Sequence, residues 1–113
     1  MASLFTKIAK GEIPGTLVYE DEHCFALRDI QPQGPLHFLI IPRKEITSVD
    51  TATTEDKVVI GHLLLVAAEL ARKNGISQDG YRIVINTNKH GGQTVFHLHV
   101  HLIGGRQMEW PPG

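Results

Sequence analysis

The segment His97-Leu98-His99-Val100-His101-Leu102-Ile103 alternates histidine with apolar residues, without a break until its last position. Alternation with a period of two belongs to a half-buried strand, in which successive side chains point to opposite faces. All three imidazoles should then project from one face, about 6 to 7 Å apart along the strand. Leu98, Val100 and Leu102 should fill a core on the other face. A helix would place His99 nearly opposite His97 and His101. The β-formers Thr94, Val95 and Phe96 precede the run, and the pairs Gly91-Gly92 and Gly104-Gly105 punctuate it. The pattern therefore predicts a strand over 94–103.

Three readings compete for such a row. One is a polar face with incidental histidines. The second is a metal site, since His-x-His on a strand is a common zinc pair and neutral imidazole a common ligand. A third ligand four residues along a straight strand reaches a single ion poorly, and no Cys, Asp or Glu lies inside the segment. The third is catalysis on phosphorus. An imidazole with an ordinary pKa of about 6.5 is mostly neutral and nucleophilic at pH 7, and a neighbouring ring can hold charged oxygens. Spacing alone leaves metal and catalysis equally open.

At 113 residues the chain is expected to form one domain over 1–113, with a core of its own. Net charge is −1 and the basic residues are scattered, which offers no footprint for nucleic acid or an anionic membrane. A lone cysteine, Cys24, allows no internal disulfide and points to a reducing compartment. It opens the apolar run Cys24-Phe25-Ala26-Leu27, so a small buried hydrophobe is its expected role. The N-terminus becomes charged at Lys7 before any long apolar stretch, and Gly61, His62 and Glu69 interrupt the longest one. A cytoplasmic location is the expectation.

The remaining pattern predicts an α+β fold with a five-stranded antiparallel sheet, a short N-terminal helix and one long helix. Ser3 can cap a helix carrying Leu4, Phe5 and Ile8 that stops at Gly11. Strands are expected over 16–19, 24–28, 36–41 and 81–86. A helix should run from Thr53 or Thr54 to about Asn74, with Val59, Leu63, Val66 and Leu70 on one stripe. Gly91 and Gly92 could let backbone N–H groups cradle a phosphate, with Gln93 and Thr94 adding donors; alone, this stretch would also read as a plain hairpin loop. Asp29 ends a strand where a carboxylate could accept both hydroxyls of a ribose, although a turn-forming role competes. His37, inside an apolar strand, would by itself read as a satisfied core residue.

Together these residues resemble the histidine-triad family, and within it the Hint branch of nucleotide-binding phosphoramidases. The family signature, His-φ-His-φ-His-φ-φ with φ apolar, fits residues 97–103. The resemblance extends through Phe5-x-Lys7-Ile8, Glu12-Ile13-Pro14, Asp29-Ile30-x-Pro32-Gln33-x-Pro35-x-His37 and Gly80-Tyr81-Arg82. It continues through Asn86, Gly91-Gly92-Gln93-x-Val95, Gly104-Gly105-Arg106-Gln107-Met108 and the terminal Trp110-Pro111-Pro112-Gly113. Gly104-Gly105-Arg106 favours Hint over the dinucleoside polyphosphate hydrolases, which usually carry a Pro-Arg segment there.

The resemblance implies that His99 attacks the α-phosphorus of a nucleoside phosphoramidate or aminoacyl-adenylate. A nucleotidyl-histidine forms, and water releases the nucleoside monophosphate. By the same resemblance His101 contacts a phosphate oxygen, the His97 segment orients His99, and His37 packs against the triad. Asp29 would hold the ribose; Asn86, Gly92, Gln93, Thr94 and Val95 would line the phosphate and leaving-group side. Leu27 and Ile30 would sandwich the purine. No metal or cofactor is implied. A homodimer is, with Trp110 of one protomer near the other's site. The competing readings are a non-catalytic nucleotide-binding regulator and a zinc-binding protein. Two positions depart from many relatives: Glu45 stands in Lys44-Glu45-Ile46 where histidine is common, so no longer histidine relay carries over, and Thr94 replaces serine. His23, His62 and His90 match no family site and are expected on the surface or on the helix.

Overall fold

The computed structural model describes residues 2–113. Helix α1 spans Leu4–Ala9, strands β1 and β2 span Leu17–Glu20 and Cys24–Arg28, and β3 spans Leu36–Pro42. A 3₁₀ turn, Thr54–Asp56, leads into α2, Lys57–Lys73; β4 (Tyr81–Val84) and β5 (Val100–Gly104) follow. The sheet order is β1-β2-β3-β5-β4, antiparallel throughout. The α+β expectation holds, and β5 lies beside β3 in the interior of the sheet.

Local chemistry sets these elements. Ser3 Oγ accepts from the Thr6 N–H at 3.1 Å and caps α1. The helix stops at Gly11, whose φ of +77° takes the left-handed conformation that glycine adopts without strain. Thr53 and Asp56 form a capping box, the Thr53 hydroxyl accepting from the backbone and Asp56 Oδ2 accepting from Thr53 N–H at 3.0 Å. The helix expected from Thr53 or Thr54 onward thus opens with one 3₁₀ turn before α2.

Two cores sandwich the sheet. On one face α2 buries Leu63, Val66, Ala67, Leu70 and Ala71 against Ala26, Phe38, Ile40, Leu98, Val100 and Leu102. On the other, Phe5 of α1 packs with Phe25, Leu27, Leu39 and Ile41. Leu98, Val100 and Leu102 therefore take the core positions their alternation predicts. Cys24 is fully buried and unpaired, and burial first, then Asp21, pushes its thiol up to about 12. It packs as a small hydrophobe.

Two strands are shorter than expected. The histidine run enters the sheet only at Val100, so His97 and His99 precede β5 instead of lying within it. The register pairs Ile40 with Val100, which would bring Pro42 opposite Leu98 next. Pro42 has no N–H to continue the ladder. Its carbonyl accepts from His97 Nε2 at 2.7 Å, and the Leu98 N–H turns to Ile46 O at 2.7 Å. β4 likewise ends at Val84, short of Asn86.

His62, expected to be a plain helix residue, ties α2 to the β1–β2 turn. Its Nε2 lies 2.7 Å from Asp21 Oδ2, which also accepts from Tyr19 OH at 2.8 Å, while Asp21 Oδ1 accepts the N–H groups of His23 and Cys24. Burial alone would raise the Asp21 pKa. The bonds from His62, Tyr19 and the two backbone groups outweigh it and hold the carboxyl well below the usual carboxylate range. Among the described residues, no helix is long and apolar enough to cross a membrane.

Candidate active site

Pairing across β3 and β5 assembles the site. Leu39 stands opposite His101 and His37 opposite Ile103, so His37 and His101 are diagonal neighbours on one face. Their rings meet through His37 Nε2 and His101 Nδ1 at 2.9 Å. Asp29, just beyond β2, brings Oδ2 to 3.3 Å from His37 Nε2.

The hydrogen-bond partners fix where each proton sits. The Gln33 N–H donates to His37 Nδ1 at 3.0 Å, so that nitrogen is an acceptor and the neutral ring carries its proton on Nε2. His37 Nε2–H then donates to His101 Nδ1, which leaves His101 with its proton on Nε2. That Nε2 is a buried nitrogen with no hydrogen-bond partner among the described residues. An unpaired buried donor costs about 1–3 kcal/mol, and the strained place in the network is therefore at the cleft. Gln33 is itself held by Arg106 Nε, which donates to its carbonyl at 2.7 Å.

His99 has the opposite polarity. Its Nδ1 lies 2.8 Å from the His97 carbonyl, which can only accept, so Nδ1 bears the proton and Nε2 keeps its lone pair. The His99 and Phe5 rings meet in a T-shaped contact with centroids 4.9 Å apart, and the His99 centroid lies 5.0 Å from that of His101. Two neighbouring imidazoles thus offer a nucleophilic nitrogen and an N–H donor. Burial lowers the pKa of His99 below the ordinary histidine value. Burial first, then His99 and His37, brings His101 down to about 4. Burial likewise lowers His37, against the opposing pull of Asp29, and His97. All four shifts run toward the neutral ring.

A cleft of about 350 Å³ opens at His99 and His101, within the range of small-ligand sites. Leu27, Asp29, Ile30, Thr94 and Val95 line it as expected, and Phe5 and Ile8 of α1 add apolar wall that sequence reasoning missed. Ile30 is 91% exposed, an apolar side chain standing free at the cleft's rim.

Other expected site residues stand elsewhere. In the loop 91–93 two of the N–H groups expected to face phosphate are taken up locally: the Gly92 N–H bonds Lys89 O at 3.1 Å and the Gln93 N–H bonds Asn88 O at 3.0 Å. Gly91 packs so closely on Thr87 that a Cβ would meet its carbonyl oxygen at 2.4 Å. The Gln93 amide is buried and fully engaged, donating to Thr47 O and Val95 O and accepting from Asn88 N–H. These residues fold the loop that presents Thr94 instead of facing the cleft. Asn86 does not line the cleft either. Trp110, expected at the site of a partner protomer, is 82% exposed in the single chain. The three metal-type ligand atoms that come within 4.8 Å of one another here belong to Asp29, His37 and His101, not to the three histidines of the row. A second such group, Asp21, Cys24 and His62, is closed by its own hydrogen bonds.

The comparisons with known proteins agree with this geometry. Residues 10–108 match the HIT domain family. An uncharacterised HIT-like protein of Synechococcus elongatus is 50% identical over 111 residues, 98% of this chain and 96% of its own length. A HIT family hydrolase from Legionella pneumophila superposes with a TM-score of 0.96 at 51% identity, covering 99% of this chain and 100% of that one. A histidine triad protein from Clostridium difficile gives 0.90 at 36% identity, over 95% and 93% of the two chains. The unbroken histidine alternation, the sheet that carries it and these likenesses together place the chain in the HIT, or histidine-triad, family.

Proposed function

We propose that this protein is a hydrolase of the Hint type, cleaving the P–N bond of purine nucleoside phosphoramidates, or the acyl phosphate of aminoacyl-adenylates, through a nucleotidyl-histidine. The observation that carries the reading is the opposed polarity of two adjacent rings: His99 Nε2 with a free lone pair, His101 Nε2–H with no partner. His99 Nε2 attacks the α-phosphorus as the bond to the amine breaks, and the amine leaves with a proton from solvent. The positive charge gained by the His99 ring is spread over the imidazolium, and the His97 carbonyl stabilises it by accepting from Nδ1–H. His101 Nε2–H holds a phosphoryl oxygen as charge develops there. Water then attacks phosphorus, the P–N bond to His99 breaks with its electron pair returning to Nε2, the water's extra proton passes to solvent, and the nucleoside monophosphate leaves with His99 restored. Asp29 at the cleft binds the ribose hydroxyls, and Leu27 and Ile30 flank the base. Support comes also from the structural relatives named HIT family hydrolase.

The working unit in this reading is a homodimer. Its sheet continues across the two-fold and so covers an open edge, and the exposed Trp110 reaches the partner's cleft. The test is covalent trapping. Wild-type protein mixed with an adenosine phosphoramidate and quenched in base should carry one adenylate, mapping by peptide mass spectrometry to residues 97–101. His99→Asn should lose the adduct and turnover yet still bind the nucleoside monophosphate. An adenylate on Cys24 or a lysine, or near wild-type turnover by His99→Asn, would overturn the reading; nucleotide binding without any adduct in the wild type would favour a non-catalytic regulator.

A further inference from the structure

His97 is wholly buried and does not line the cleft, yet both its ring nitrogens are held. Nε2–H donates to Pro42 O at 2.7 Å, so in the neutral ring Nδ1 must accept. Its partner is the Ser3 hydroxyl at 2.5 Å, a contact spanning 94 residues of sequence. Ser3 Oγ accepts the Thr6 N–H of its own helix, and its single proton has two acceptors in reach, Thr6 Oγ1 at 3.2 Å and His97 Nδ1; the much shorter contact, to a nitrogen with no other donor, takes it. The Ser3 residue is pinned in turn. Glu45, on the segment after β3, accepts the Ser3 backbone N–H and, at 3.0 Å, the Thr6 hydroxyl through the same Oε1. That carboxylate oxygen also lies 4.0 Å from His97 Nδ1. Phe5, in the first turn of the same helix, packs against both the His97 and His99 rings.

We propose that Ser3 and Glu45 are positioning residues for His99, a proposal that rests on His99 being the nucleophile. Glu45 fastens the first turn of α1, Ser3 grips His97 Nδ1, and the gripped His97 presents its carbonyl to His99 Nδ1–H. The free nitrogen of His99 is thereby fixed as Nε2 and aimed into the cleft. Without the Ser3 hydroxyl, His97 Nδ1 loses its donor inside a dry site. The ring and its backbone then gain freedom, and His99 samples the tautomer with its proton on the wrong nitrogen.

The experiment compares full-length wild type with Ser3→Ala, Ser3→Gly, Ser3→Thr, Glu45→Ala and Glu45→Gln. Turnover of adenosine phosphoramidate gives kcat and KM, and ¹⁵N-histidine NMR reads the tautomers. Ser3→Ala and Ser3→Gly should each lower kcat about tenfold and move KM by less than about twofold. Glycine caps a helix nearly as well as serine, so equal losses in the two variants separate the grip from capping. Ser3→Thr, which keeps cap and hydroxyl, should recover most of kcat. Glu45→Gln should stay close to wild type, because the amide oxygen accepts the same two donors, whereas Glu45→Ala should follow Ser3→Ala. The NMR spectra should show His99 as one Nδ1–H tautomer in the wild type and as a mixture in Ser3→Ala. Unchanged kcat with an unchanged His99 tautomer in Ser3→Ala and Ser3→Gly would overturn the proposal, as would equal losses in Ser3→Thr. If the wild type fails to turn over the phosphoramidate, the proposed function falls, and the tautomer comparison still decides the grip.

Discussion

Acid should weaken this fold through His101, and the size of the effect can be worked out. Its pKa is about 4 in the folded protein, against about 6.5 for an exposed histidine. Between those values the unfolded chain binds a proton that the folded chain refuses, so stability falls as pH drops from about 6.5 toward 4. Above pH 7 both states are neutral and the group contributes nothing. For one such site the loss between pH 7 and pH 5 is about 2 kcal/mol, and about 3 kcal/mol once the pH is below 4. The physical cause is visible: protonating Nδ1 would drive an N–H against the Nε2–H of His37, in a site from which water is largely excluded. Urea unfolding at pH 7 and pH 5, at one protein concentration, reads the difference; a slope of about 1–3 kcal/mol per molar makes it a midpoint shift of about 1 M. His37, His97 and His99 are shifted in the same direction and add to the acid sensitivity. The informative comparison is therefore with His101→Asn, whose amide oxygen can still accept from His37. That variant should lose about 2 kcal/mol less than wild type over the same interval. Equal acid sensitivity in the two proteins would refute the assignment of a neutral, desolvated His101.

Turnover of an adenosine phosphoramidate should survive exhaustive chelation, because both reacting nitrogens belong to histidines and the proposed steps use no metal. Loss on chelation with recovery on adding zinc would instead support a metal-dependent site. Removing residues 108–113 should leave a dimer by sedimentation but change relative rates across a series of leaving amines, since Trp110 is proposed to reach the partner's cleft. Unchanged selectivity would remove the tail from the site.

Much of the fold was legible because it is written in short-range pattern. The cap at Ser3, the stop at Gly11, the apolar stripe of α2 and the alternation at Leu98, Val100 and Leu102 all act within a few residues, and each appears where it was expected. The cleft residues Leu27, Asp29, Ile30, Thr94 and Val95 were also named from sequence, chiefly through the family resemblance. What escaped was long-range. Nothing near Gly92 or Gln93 announces that their N–H groups close on Asn88 and Lys89, so the loop looked open to phosphate when it is closed on itself. Ser3 reads correctly as a cap, but its second bond lies 94 residues away. Glu45 was noted only as a departure from relatives, because its partners on α1 are joined to it by the fold alone.

Of the two shortened strands, β5 bears most directly on chemistry. Had the strand continued through residues 97–99, its extended backbone would have held the His97 carbonyl in the plane of the sheet, away from the His99 side chain that projects from the face, and His99 would have lacked a carbonyl with which to fix its proton. Pro42, by ending β3 without an N–H, releases that stretch from the sheet. Its carbonyl then holds His97, and the carbonyl of His97 holds His99. His101, one step inside the sheet, takes its orientation from a side chain instead, through His37 and the Gln33 N–H. Alternation puts the histidines in register. The break at Pro42 gives two adjacent, chemically identical rings different partners, and those partners leave a lone pair on one ring and a proton on the other.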